Sequence, residues 1–507
     1  MNLRKIKDVK IIPMLFALAF VIFGIIAKQY TFIFLGIYAG LCFALTYILI
    51  PRLREKYRKS MQLVFILSIL TAGILFGFLA RGTLPPRAES QVWSLHQIDN
   101  PGYLIPNGLD PADVNGDGYN DYVTNYEWDG KIRIAFYPGV SDVAESWPAI
   151  TVGSIPNAEN AAFGDFDNDT NIDIVVAHGS ELAKQSGVFI IWGPESSNAM
   201  DPTAWIESND IPGTVEAGQL HCAEGKDING DGVDDIVVGG RGKDPKAGLK
   251  WIEAPFNPSE RRDMTKWVVH DIDAELESGH GFEFGDIDND GDDDIAVCNS
   301  DWDTKDEDEM LVWYKNPGTG ASEQEEPWEK RIIYQGPEFY SKEQITLHDY
   351  SGDGYPEVIM QVVDYIYYFK NPGILEGSWT LIKIPKPEET KWRARPIKIV
   401  DINNDGKDDI IGMLIHHDGY FPTSKAAVFW MEYTGSDPET SSWETHVIKW
   451  ADGFFGIGKY NGEKWDQCVF EDLDEDGDLD IVANCEEYHS LGFVYLSVLW
   501  FENPTIM

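Results

Sequence analysis

Seven copies of one acidic nonapeptide constrain this chain more than any other feature. They begin at Asp113 (DVNGDGYND), Asp165 (DFDNDTNID), Asp227 (DINGDGVDD), Asp286 (DIDNDGDDD), Asp349 (DYSGDGYPE), Asp401 (DINNDGKDD) and Asp472 (DLDEDGDLD), at spacings of 52 to 71 residues. A period of that size marks an array of supersecondary units that must stack to bury their apolar faces. Blocks of like charge repel and usually mark disorder. Here each block runs into an apolar segment such as DIVVA, DIVVG or DIIGM, so the carboxylates need a partner while their flanks are buried.

The shared pattern puts oxygen donors at positions 1, 3, 5 and 9, with glycine usually at 6. The donors are Asp113, Asn115, Asp117 and Asp121; Asp165, Asp167, Asp169 and Asp173; Asp227, Asn229, Asp231 and Asp235; Asp286, Asp288, Asp290 and Asp294; Asp349, Ser351, Asp353 and Glu357; Asp401, Asn403, Asp405 and Asp409; and Asp472, Asp474, Asp476 and Asp480. Hard oxygen donors in this number suit Ca²⁺, which takes six to eight of them at about 2.4 Å. The expectation is up to seven Ca²⁺ ions, with solvated acidic turns as the alternative. An EF-hand needs Glu at position 12 and a helix on each side. Position 12 of the first copy is Thr124, and the flanks read as strands. Two copies depart from the pattern: Thr170 stands where glycine is expected, and the copy at Asp349 uses Ser351 and Glu357. The formal charge of −44 argues against a nucleic-acid partner and is compatible with cation binding.

Two further signatures keep the same period. A Trp-led strand precedes each loop, at Trp93, Trp147, Trp205, Trp267, Trp328, Trp379 and Trp443. An aromatic strand ending in a turn follows each, as in FYPG at Phe136, WIEAP at Trp251, WYKNPG at Trp313, FKNPG at Phe369 and WFENP at Trp500. Together these motifs resemble the FG-GAP and VCBS repeats of integrin-α-like β-propellers, and the resemblance covers residues 92–507. Phe-Gly precedes the loop only at Phe163-Gly164 and Phe284-Gly285, and no Gly-Ala-Pro follows any loop, so the VCBS type is the nearer likeness. The resemblance implies an all-β, seven-bladed propeller. The unit length independently fits four short strands, which cannot bury both faces alone and must pack radially. Within a blade the order is inner strand, acidic loop, second strand, aromatic third strand and Trp-led fourth. On that order Val92–Ile98 is a fourth strand without a blade, and the blade of Asp472 lacks its fourth. The two are expected to close the ring.

The first 80 residues differ in kind. After an N-terminal segment, 1–10, uncharged apolar runs at 11–27, 31–50 and 61–80 each approach the length that crosses a bilayer. Arg4, Lys5, Lys7 and Lys10 flank the first run, and Arg52, Arg54, Lys56, Arg58 and Lys59 lie between the second and third. The positive-inside rule then puts the N-terminus in the cytoplasm. A linker at 81–91 leads to the propeller at 92–507. The expectation is an integral membrane protein with three spans and an extracytoplasmic propeller, at a cell surface or in a periplasm.

Six residues before each leading aspartate come Asn107, Glu159, His221, His280, Glu343, Arg395 and Asp466, all polar. They are expected to ring the mouth of the axial channel on the face opposite the acidic loops, as a wet rim or a ligand site. His221 and His280 flanked by Glu159 and Glu343 would also suit Zn²⁺. Lys391-Trp392-Arg393-Ala394-Arg395 is the one compact basic cluster of the acidic region; Arg393 and Arg395 could bind an acidic glycan or pair with neighbouring carboxylates. Cys468 and Cys485 flank the last loop nearly opposite each other, which leaves a disulfide open. No catalytic constellation is readable, so no catalytic residue is assigned. The leading reading is recognition or adhesion of a protein or glycan ligand. A carbohydrate-active enzyme of polysaccharide-lyase or sugar-dehydratase type is implied by the resemblance as an alternative, and a subunit of a larger membrane assembly is the third.

Overall fold

The computed structural model describes residues 93–504 apart from 180–185, 242–246, 280, 300–308, 319–326, 337–343, 417–424, 436–442, 452–461 and 489–495. Among these, 28 strands form seven antiparallel four-stranded sheets, two of them joined by a single bridge between Ile415 and Lys464. The blades span 110–154, 158–207, 219–273, 282–335, 346–385 and 393–450. The seventh takes three strands from 462–502 and its fourth from Ser94–Asp99. That strand pairs antiparallel with Val498–Glu502, with His96 opposite Trp500. The closure expected from the sequence is therefore present.

Burial explains why each segment adopts its place. Second strands such as Asp173–Gly179 and Asp409–Ile415 are buried along their whole length, because a neighbouring blade covers each face. Fourth strands such as Val268–Asp273 are exposed or half-buried throughout. The apolar residues fall into seven clusters, and each joins two consecutive blades. Val123 and Ile134 of blade 1 pack with Val176 and Phe189 of blade 2, and so on round to Val482 and Trp500 of blade 7, which pack with Tyr122 and Trp147 of blade 1. Seven sheets joined in one cycle by seven interfaces are a β-propeller. The Trp before a fourth strand anchors the preceding turn: the Trp147, Trp205 and Trp267 indoles are buried and donate to the carbonyls of Val143, Ala199 and Arg261.

One open question closes and one expectation changes. Cys468 and Cys485 are free thiols. A bulge between Trp465 and Cys468 shifts the register, so Cys468 faces Ala483 and Cys485 faces Trp465. The assignment to a membrane is also corrected. Among the described residues no helix is long and apolar enough to cross a bilayer; this part is all-β, and its named helical segments are three-residue 3-10 turns. The runs at 11–27, 31–50 and 61–80 lie outside the described residues. A run of 17 to 20 apolar residues establishes only that side chains avoid water. It does not say whether lipid or protein covers them, and the orientation drawn from flanking Lys and Arg has no firmer basis.

Candidate functional site

The acidic loops share one backbone trap. In every copy the carboxylate at position 1 accepts the N–H groups of positions 5 and 6: Asp113 from Asp117 and Gly118, Asp165 from Asp169 and Thr170, and Asp472 from Asp476 and Gly477, all at 2.9–3.1 Å. Asp227, Asp286, Asp349 and Asp401 do the same. Position 9 reaches back to the N–H of position 2 and across to the end of the third strand. Asp480 accepts from Leu473 at 3.0 Å and Asn503 at 2.8 Å, and Asp121 from Val114 at 3.2 Å and Tyr137 at 2.9 Å. These bonds curl the loop and turn the remaining oxygens inward. In three loops the ligand atoms lie within 4.8 Å of one another: Asp165, Asp167 and Asp173; Asp286, Asp288 and Asp290; and Asp472, Asp474 and Asp480. Asp235 Oδ2, Asp288 Oδ1, Glu357 Oε1 and Asp409 Oδ2 are buried without a hydrogen-bond partner. Burial pushes Asp173, Asp235, Asp294 and Asp480 up to about 8 and Asp121 and Asp409 to about 7.

The turn at position 6 needs a left-handed backbone. Gly118, Gly232, Gly291, Gly354, Gly406 and Gly477 hold φ between 83° and 101°, and Thr170 holds 75°. A β-branched residue there is strained by about 1–2 kcal/mol. Thr170→Gly is therefore expected to raise the urea midpoint, by about 1 kcal/mol of stability. An unchanged or lower midpoint would mean the threonine is not strained.

Adjacent loops are tied together by side chains that the sequence reading passed over. The Asn of the NP turn donates to the position-2 carbonyl of the preceding loop and to its own position-8 carbonyl: Asn316 to Ile228 and Asp293, Asn371 to Ile287 and Pro356, and Asn503 to Ile402 and Leu479. In blade 1 the Tyr137 hydroxyl does this for Leu473. Basic side chains from outside the loop reach the donor carboxylates of two loops, and Lys407 lies 3.4 Å from Asp405 within loop 6. Lys315 Nζ lies 2.5 Å from Asp288 and also bonds Asp290, while Arg262 contacts Asp167 at 2.5 Å and Asp169 at 3.0 Å.

The first strands face a common axis, as contacts between non-adjacent blades require. Lys398 of blade 6 meets Glu283 of blade 4 at 2.6 Å, and Gln344, entering blade 5, donates to the Asp466 carbonyl of blade 7 at 2.8 Å. At the expected mouth, Glu159 is 6% exposed; it accepts from Gln219 Nε2 at 3.1 Å and lies 3.3 Å from His221 Nδ1. Burial, together with the Glu127 charge, raises its pKa well above the carboxylate range. Arg395 Nη2 lies 3.4 Å and Lys464 Nζ 3.2 Å from Asp466 Oδ1, and Lys464 also binds Glu486 at 2.6 Å. The Asn107 backbone is pinned by Asn125 and its amide lies 3.5 Å from Glu127. Glu127 is raised by burial and feels Lys464, Arg241 and Asp466.

Asn107, Glu159, His221, Arg395 and Asp466 thus meet in one charged rim. His280 and Glu343 lie outside the described residues. Arg393 is exposed, and Trp392 stacks on His416 at 5.6 Å. Glu127, Arg241 and Glu486 were missed, although each sits six residues after position 9, mirroring the position chosen before the loop. Beside Glu127, Trp128 is 64% exposed. Ile105, whose carbonyl accepts the Glu127 N–H, holds a left-handed φ of 60°, a strained geometry for a β-branched residue.

Comparison with known proteins agrees with the repeat. A model described as an FG-GAP-like repeat matches residues 113–176 and 286–360. Among curated protein sequences there is no match. Similar solved structures include an Agrocybe aegerita lectin that recognises non-reducing terminal N-acetylglucosamine, at 13% identity over 80% of this chain and 89% of that chain (TM-score 0.44). BBS1N in complex with ARL6DN is similar at 13% identity over 82% and 98% (0.45), and the Dos1 propeller at 9% over 81% and 95% (0.40). On its own sheets and loops, the described part of the chain is a β-propeller, and two stretches of it match an FG-GAP-like repeat.

Proposed function

We infer that this propeller is a calcium-loaded recognition module whose ligand, a protein or a glycan, docks at the charged channel mouth. The observation that carries the docking site is the convergence there of Glu127, Glu159, His221, Arg241, Arg395, Lys464 and Asp466 from blades 1, 2, 3, 6 and 7. These groups are already paired with one another, which suits binding by exchange of hydrogen bonds more than proton transfer. Trp128 adds an exposed ring of the kind that anchors partners and stacks on sugars.

The acidic loops take the structural part. Their buried, partnerless carboxylate oxygens and their oxygen-only donor sets fit Ca²⁺. In loops 2 and 4 an ion must displace Arg262 or Lys315, so those two should fill last. The module is tested by a glycan array and by affinity capture of protein partners, each with and without EDTA. Trp128→Ala is expected to weaken the bound ligand at least about tenfold (~1.4 kcal/mol) without changing the melting temperature. Unchanged affinity would move the docking site elsewhere, and turnover of a bound carbohydrate would replace recognition by catalysis.

A further inference from the structure

Loops 6 and 7 are tied by two amides. Asn404 donates through Nδ2 to the Gly477 carbonyl at 3.0 Å, and Asn503 donates to the carbonyls of Ile402 at 2.9 Å and Leu479 at 3.0 Å. Beside these ties lies a polar cavity of about 70 Å³, lined by Ile402, Asn403, Asp476, Asp478 and Asn503 among others. Asp478 occupies position 7 of its loop and is outside the four-position ligand set. It is 7% exposed, and neither carboxylate oxygen has a hydrogen-bond partner. At the same position blade 1 places Tyr119, stacked on Tyr137 at 4.5 Å, and blade 6 places Lys407, 5.9 Å from the centre of the Tyr433 ring. Those side chains lean on an aromatic ring at the end of the third strand. Blade 7 has Asn503 there, so no ring covers Asp478.

A carboxylate removed from water without a partner costs several kcal/mol. The donors nearest to hand, the Asn404 and Asn503 amides, are spent on backbone carbonyls. A hard cation answers this arrangement: it meets oxygen donors, needs no hydrogen-bond geometry, and completes its shell with water. We propose that Asp478 binds a divalent cation of the calcium class in the crevice between loops 6 and 7, at a site separate from the loop-7 ligand set. It would bridge blade 6 to the blade that closes the ring. The argument rests on Asp478 and not on the seven loop sites.

The test counts calcium per full-length chain by plasma emission after dialysis against buffered free calcium. Asp478→Asn keeps the size and removes the charge; Asp472→Asn, at the leading position of loop 7, is the comparison, made alone and together with Asp478→Asn. The expected result is one ion fewer in each single variant than in the wild type and two fewer in the double variant. A loss in Asp472→Asn with none in Asp478→Asn, or a double variant that loses no more than either single one, overturns the proposal and leaves the loop sites standing. A loss in Asp478→Asn alone supports this site and counts against loop 7. Should the asparagine variant fail to fold, Asp478→Ser, smaller and uncharged, gives the same reading.

Discussion

Stripped of divalent cations by EDTA, the protein should melt on the order of 10–20 °C lower than in millimolar calcium, with an unchanged strand signal in circular dichroism below the transition. Each loop holding an ion at a hundredfold above its Kd contributes about 2.7 kcal/mol, and a few such loops add to a large part of a domain's net stability. Without ions, Asp288 Oδ1 and Asp409 Oδ2 keep no partner and the clustered aspartates repel. The fall should be partial, because Lys315 and Arg262 already offset part of the charge of two loops. Adding back calcium, but not an equal ionic strength of sodium, should restore the transition. Equal melting temperatures with and without calcium would remove the ions from the account and leave the loops as solvated turns.

Ile98→Asp should be the most damaging single substitution at the ring closure, with a loss above about 4 kcal/mol in urea unfolding. Ile98 is fully buried between blades 7 and 1, in one cluster with Trp147, Val482 and Trp500. An aspartate there sets an unpaired charge in an apolar interface and opens the edge of Val498–Glu502. Leu95, three residues earlier on the same strand and 43% exposed, provides the contrast: Leu95→Asp should change stability by no more than about 0.5 kcal/mol. Equal effects at the two positions would show that the strand only decorates blade 7.

The features legible in the sequence are those that depend on short spacing. Donors at positions 1, 3, 5 and 9 and a glycine at 6 are demands of one loop on itself, and the period of the Trp and aromatic signatures is set by one blade. Counting strands against blades then forced Val92–Ile98 into the last sheet, where the strand observed is Ser94–Asp99. What stayed hidden depends on register between distant segments. The bulge after Trp465 separates Cys468 from Cys485 by geometry that no spacing announces. Lys464 reaches the mouth from within its own strand, and Glu127, Arg241 and Glu486 reach it from the far ends of second strands, where attention to first strands could not find them. The NP turns were visible, but which carbonyls Asn316, Asn371 and Asn503 would satisfy depends on the neighbouring blade. His96, His270 and His446 kept the repeat period; their partners Glu502, Glu253 and Glu432, at 2.6–2.9 Å, lie on the facing strand.

Closing the ring with Ser94–Asp99 ties the earliest strand of the domain to the latest. His96 and Glu502 are 406 positions apart. On the ribosome the N-terminal strand emerges first and must wait, unpaired, while six blades are synthesised and the seventh is completed; at 5–20 residues per second that is roughly 20 to 80 s. Cooperative folding of this chain is thus timed by translation of its final strand, and a nascent chain arrested before Val498 would carry an edge that another copy could claim.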